Sequence, residues 1–176
     1  IITIGYRAEN PVPPKRYDLE ALVYHDEFGK RIIDEGFGIM NKAEKNIECL
    51  FCRIANKGIP AEIVYEDADA VAFLDIHPRA PGHTVVIPRV HAENMLDLPD
   101  EKIQPVFLTV KKVAGILNEV LKPNGFTIGI NHGRVSGQVV DHLHIHIIPR
   151  FADDGGASIH SVVNNPPQES LQEIAS

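Results

Sequence analysis

Apolar residues along the chain follow two periods, and the longest run has the helical one. Ile103, Val106, Phe107, Val110, Val113, Ala114, Leu117, Val120 and Leu121 recur three and four positions apart, which places them on one face of a helix. Pro99 suits the start of this helix, and Pro123-Asn124-Gly125 its end. Pro105 falls inside the pattern. Its missing N–H removes a hydrogen bond, so a kink or a later start is expected there. Spacing alone leaves open whether this face serves a core or an interface.

The other runs are strand-sized. Ile63–Glu66 and Ala70–Leu74 are separated by Asp67-Ala68-Asp69, a turn composition. Residues 83–88 read as a strand introduced by Pro81-Gly82, residues 126–130 as another, and residues 139–148 as the last core strand, closed by Pro149. Strands joined by short turns favour an antiparallel sheet, and one long helix across it makes the class α+β. A short helix is expected after Pro167, within a loop-like tail over 151–176. Residues 1–48 form an N-terminal extension. Residues 1–6 are strand-like, residues 10–14 hold three prolines and read as a linker, and residues 17–40 show no readable period.

Composition narrows the class. A chain of 176 residues with 44% hydrophobic and 23% charged residues has the usage of one globular domain. It is neither disordered throughout nor collagenous, and two cysteines make no disulfide framework. No apolar run approaches the roughly 18 residues of a membrane span. The net charge of −7 provides no basic field for a nucleic-acid polymer. A small phosphorylated ligand stays open, because local donors can hold it. The first residues carry no signal-peptide pattern, so a cytoplasmic location is expected.

The strongest local pattern is His142-Leu143-His144-Ile145-His146-Ile147-Ile148. Strand alternation puts the three imidazoles on one face and Leu143, Ile145 and Ile147 on the other, toward a core. Two chemistries suit such a face. Alternate histidines can present nitrogens to one metal ion, or a neutral imidazole can attack phosphorus while its neighbours handle charge and protons. The preceding loop, Gly133-Arg134-Val135-Ser136-Gly137-Gln138, has the permissive backbone that can turn N–H groups toward an anion. It tilts the reading toward phosphate.

The stretch Gly137-Gln138-Val139-Val140-Asp141-His142-Leu143-His144-Ile145-His146-Ile147-Ile148-Pro149-Arg150 resembles the signature of the histidine triad (HIT) family. Ala72-Phe73-Leu74-Asp75-Ile76-His77-Pro78 and Pro81-Gly82-His83-Thr84-Val85-Val86-Ile87-Pro88-Arg89-Val90-His91 resemble its other blocks in the same order. The match runs over about residues 49–150. It implies a HIT-like fold, with an antiparallel sheet of about five strands. It also implies a nucleotide hydrolase or transferase that takes a small-molecule nucleotide and commonly forms a homodimer through its sheets.

By this resemblance His144 is the nucleophile, forming a nucleotidyl-histidine at the α-phosphorus of a dinucleoside polyphosphate or nucleoside phosphoramidate. An unperturbed imidazole, with a pKa near ~6.5, is mostly neutral at pH 7, as that attack requires. His146 and His83 match positions that neutralise or hydrogen-bond the phosphate oxygens. Asn131, Gly137 and Gln138 match the phosphate and ribose region. Asp75 matches the acceptor of the ribose hydroxyls, and Phe73 and Ile76 lie where the base is contacted, with core packing the equal alternative for Phe73. Val139 stands where the family often has Ser or Thr, and the absence of Trp departs from the phosphoramidase branch.

Cys49-Leu50-Phe51-Cys52 is a Cys-x-x-Cys, and zinc needs two further N or S ligands. In a subset of the family this pair is accompanied by histidines at the positions of His91 and His142. The resemblance therefore implies structural zinc on Cys49, Cys52, His91 and His142. His25, His77, His132 and His160 read as surface or loop residues. Two other readings stand beside the hydrolase: a metalloenzyme in which His142, His144 and His146 share one ion, and a non-catalytic nucleotide-binding module.

Overall fold

The carboxylate of Asp67 builds the first hairpin. Its Oδ1 accepts the N–H groups of Asp69 and Ala70 at 2.9 and 3.0 Å, closing the turn that the Asp-Ala-Asp sequence announces. A computed structural model describes residues 48–175. The expectations for the extension up to residue 47 lie outside the described residues. Along the chain run α1 (Leu50–Ala55), β1 (Ile63–Glu66), β2 (Ala70–Leu74), β3 (Thr84–Pro88), α2 (Asp100–Leu121), β4 (Gly125–Gly129), β5 (Ile145–Arg150) and α3 (Leu171–Ile174). The five strands make one antiparallel sheet in the order β1-β2-β3-β5-β4, an α+β architecture as the patterning predicts.

The two faces of the sheet are covered differently. Val106, Val110, Val113 and Leu117 of α2 pack with Ala70, Ala72, Val86, Leu143, Ile145 and Ile147 on one side. Phe51, Ile54 and Ala55 of α1 pack with Val71, Phe73, Val85 and Ile87 on the other. Strand β3 is therefore buried along its whole length, as strands covered on both faces are. The expected display of three imidazoles on an open face is corrected accordingly. His142 and His144 are buried, with α1 above them.

Three boundaries differ from the sequence reading. Helix α2 runs unbroken from Asp100 through Pro105. Pro105 is the sixth residue of the helix, so the one hydrogen bond it lacks is to the carbonyl of the exposed Glu101 in the first turn. Its apolar face divides, with Val106, Val110, Val113 and Leu117 in the core and Ile103, Phe107, Leu108 and Val120 exposed. The last strand begins at Ile145, not at residue 139. Before it, the His142 N–H donates to the Val140 carbonyl at 2.8 Å and the Leu143 N–H to the Ala92 carbonyl at 2.6 Å, so these donors leave the ladder. The third is helix α1, which the sequence reading left out. Among the described residues no helix is long and apolar enough to cross a membrane.

Candidate functional site

The chain places the cysteine pair on the opening of α1. Cys49 is its N-cap and Cys52 lies in its first turn, so both thiols look the same way. His91 follows β3 and His142 precedes β5, and the four donor atoms gather within 4.8 Å of one another. Cys49 Sγ and Cys52 Sγ lie 3.4 and 3.5 Å from His142 Nδ1, and Cys52 Sγ lies 3.3 Å from His91 Nδ1. A regular tetrahedron with zinc bonds of about 2.3 Å to sulfur and about 2.0 Å to nitrogen separates S from N by about 3.5 Å. The donor set and its spacing fit a closed four-ligand ion. His142 Nε2 donates to the Pro88 carbonyl at 3.0 Å, which leaves Nδ1 as the ligating atom. Burial pushes the Cys52 thiol up to about 12, helped by Cys49, and pushes His142 down to about 4. An ion held by this set would displace the Cys52 thiol proton and meet a neutral His142 imidazole.

The second group is organised by the β2–β3 hairpin. The Asp75 N–H donates to the His83 carbonyl at 2.9 Å, so these two residues face each other just past the paired ends of the strands. His146 sits on β5 opposite Val85 on one side and Gly129 on the other. A Cβ at Gly129 would meet nothing within 4 Å, which leaves open space beside the His146 ring. His83 Nε2 lies 3.0 Å from His146 Nδ1. The Asp75 Oδ2 atom lies 3.6 Å from the former and 3.8 Å from the latter.

Tautomers follow from the hydrogen-bond partners. The Arg79 backbone N–H donates to His83 Nδ1 at 3.2 Å, so His83 carries its hydrogen on Nε2 and donates it to His146 Nδ1. His83 and His146 thus form a hydrogen-bonded pair, with the Asp75 carboxylate beside it beyond hydrogen-bond distance, and an ion on His83 Nε2 would have to displace that hydrogen. His144 Nδ1 donates to the His142 carbonyl at 2.7 Å, leaving Nε2 with its lone pair free for attack. Its ring centroid is 5.1 Å from that of His146. Burial lowers the His83 pKa, and burial with the neighbouring His144 and His83 brings His146 down to about 4.

The reading of one ion shared by His142, His144 and His146 is corrected by these partners. Both nitrogens of His142 are directed elsewhere, to the cysteines and to Pro88. Phe73 is buried, with its ring centroid 5.6 Å from that of Phe51, whereas Ile76 is 78% exposed. Asn131 sits against the Cα of Gly137, which has a φ of 96°. The amides of the 133–138 loop turn inward. Ser136, Gly137 and Gln138 donate to the carbonyls of Gly133, Arg134 and Gly133. The Gln138 side chain accepts from Gly133 N at 2.7 Å and donates to the carbonyls of Glu93 and Val140.

Sequence reasoning missed three contributors. Phe51 lays its ring edge against His144 and His142, with centroids 5.3 and 6.0 Å apart. It becomes visible only once the Cys-x-x-Cys is known to be helical. The Pro88 carbonyl and the Arg79 N–H act through the backbone, for which side-chain identity carries no signal.

A half-buried histidine cluster beside a Cys/His set, on a five-stranded antiparallel sheet, defines a class of small α+β domain. Residues 56–153 match the HIT domain, and the chain belongs to the HIT family. It is 45% identical over 127 residues to an uncharacterised HIT-like protein of Methanocaldococcus jannaschii, covering 72% of this chain and 98% of that one. It is 38% identical over 113 residues to an adenosine 5'-monophosphoramidase of Schizosaccharomyces pombe, covering 64% of this chain and 82% of that one. Among solved structures, a zinc-bound histidine triad family protein from Mycobacterium smegmatis superposes with a TM-score of 0.59 at 35% identity, covering 62% of this chain and 80% of that one.

Proposed function

We propose that the protein is a nucleotide hydrolase that works through a nucleotidyl-His144 intermediate on a dinucleoside polyphosphate or nucleoside phosphoramidate. The observation that carries the reading is the hydrogen bond from His144 Nδ1 to the His142 carbonyl, which points a neutral lone pair on Nε2 away from the backbone. Nε2 attacks the α-phosphorus, the bond to the leaving nitrogen or oxygen breaks, and the leaving group takes a proton. Water then attacks the same phosphorus and releases the nucleoside monophosphate and His144. One difficult displacement becomes two easier ones. The similarity to an adenosine 5'-monophosphoramidase supports the substrate class.

His146 and His83 handle phosphate charge and protons, Asp75 takes the ribose, and the exposed Ile76 meets the base, with Asn131 at the phosphate edge. Gly137 and Gln138 shape the loop around it. Zinc on Cys49, Cys52, His91 and His142 holds α1 to the base of β5 and leaves no open position for substrate. The zinc-bound relative supports that ion. The edge strand β4, which has no strand partner on its outer side among the described residues and carries the exposed Ile128, suits pairing with a second copy into a homodimer. Cys49 and Cys52 as thiols and not a disulfide suit a reducing cytoplasm.

A panel of nucleotides assayed for monophosphate release, with an alkaline quench that preserves a P–N bond and mass mapping of the protein, tests the reading. A nucleotidyl adduct on His144 is the expected result. Turnover without any protein adduct, or an adduct elsewhere, overturns the mechanism.

A further inference from the structure

Asp75 presents its two oxygens to different partners. Oδ1 accepts the His77 backbone N–H at 2.8 Å, which fixes the plane of the carboxylate. Oδ2 is thereby held beside both imidazoles of the pair, 3.6 Å from Nε2 of the buried His83 and 3.8 Å from Nδ1 of the half-buried His146. Those two nitrogens are 3.0 Å apart and share one hydrogen. In the neutral pair that hydrogen satisfies both. When His146 gains a proton at Nδ1, two N–H groups point at each other, and one acceptor within reach of both must take them. Oδ2 of Asp75 occupies that place.

We propose that Asp75 is a positioning residue for the cationic form of the His83–His146 pair, in addition to any contact it makes with the ribose. The inference rests on the hydrolase reading for its catalytic meaning, but its proton-binding part does not. The pair takes one proton from solvent at His146 Nδ1. His146, now carrying hydrogen on both nitrogens, gives the Nε2 proton to the leaving atom as its bond to phosphorus breaks. Asp75 supplies the fixed part of the countercharge during that interval, and the bound phosphate supplies the rest. The other charged or titratable groups acting on the pair are His144, which opposes a proton on His146, and Arg79, which opposes one on His83. Asp75 is the group that favours it on both.

The test uses the full-length, zinc-loaded protein and Asp75→Asn, which keeps the shape of the residue and its bond to the His77 N–H. Imidazole NMR titration without substrate is expected to show the His83 and His146 midpoints moving to lower pH in Asp75→Asn. Unchanged midpoints overturn the proposal, and this arm stands even if no nucleotide is ever turned over. In the activity arm, kcat with a 2',3'-dideoxynucleoside phosphoramidate is expected to fall roughly tenfold at pH 7, with the alkaline decline of the pH profile moved to lower pH. A residue that only binds ribose hydroxyls leaves a dideoxy substrate unaffected. Native kcat and an unchanged profile on that substrate overturn the catalytic part.

Discussion

The Nδ1 atom of His144 lies 2.7 Å from the carbonyl oxygen of His142. The ring that carries the proposed nucleophile is thus aimed by the backbone two residues upstream. That backbone is itself fixed where the Leu143 N–H donates to the Ala92 carbonyl at 2.6 Å. Departure of these donors from the β-ladder frees the carbonyl for the imidazole.

His144→Ala is expected to lower nucleotide turnover by on the order of 10³-fold or more. The lost contacts are edge contacts with Phe51 and His146 and one hydrogen bond, so stability should fall by only about 1–2 kcal/mol. Steady-state monophosphate release and thermal melting measure the two effects. A variant that turns over near the native rate removes His144 from the reaction.

Cys49→Ser should release the bound zinc, because three ligands with one weak oxygen hold the ion far less tightly than four. Elemental analysis after gel filtration is expected to give one zinc per native chain and little in the variant. Melting should drop in parallel. Zinc retained at the native ratio would place the ion elsewhere.

Gln138→Ala removes a buried amide that joins Gly133, Glu93 and Val140. The Gly133 N–H and the Glu93 carbonyl each lose a hydrogen bond, while the Val140 carbonyl keeps the one from the His142 N–H, and a loss of about 1–3 kcal/mol follows. Urea denaturation of native and variant protein checks the figure. A loss below a few tenths would mean water replaces the amide freely.

Stability should fall with acid partly through His146. Its folded pKa of about 4 lies below the ordinary imidazole value of 6.5, chiefly because burial disfavours the cation. Between those values the unfolded chain holds a proton that the folded one refuses. The contribution is complete above 6.5 and is lost as pH falls toward 4, at most about 3 kcal/mol. Melting curves from pH 7 to 4.5 should be steeper in pH for the native chain than for His146→Gln. Parallel curves would contradict the assignment.

The periodic elements were legible from sequence because burial wrote them there. The spacing of Val106, Val110, Val113 and Leu117 marked α2, and the alternation of Leu143, Ile145 and Ile147 marked the core side of the histidine segment. That alternation also misled. It continues through residues 142–144, although their N–H groups bond to Val140 and Ala92, and side-chain pattern records burial, not ladder pairing. Helix α1 has too few residues to show a period. The two clusters were legible as residue types and were divided by the family resemblance, but the tautomer of each imidazole was not. It depends on the Pro88 carbonyl and the Arg79 N–H, which select the nitrogen each imidazole presents.

Cys49 and Cys52 stand 93 and 90 positions before His142. Contacts across such separations close late in folding, after the local hairpins and α2, because the chain entropy of a long loop must be overcome first. An interaction absent from the folding transition state acts on unfolding alone. Metal at this cluster would then set how long the native chain lasts, and leave the speed at which it forms almost untouched.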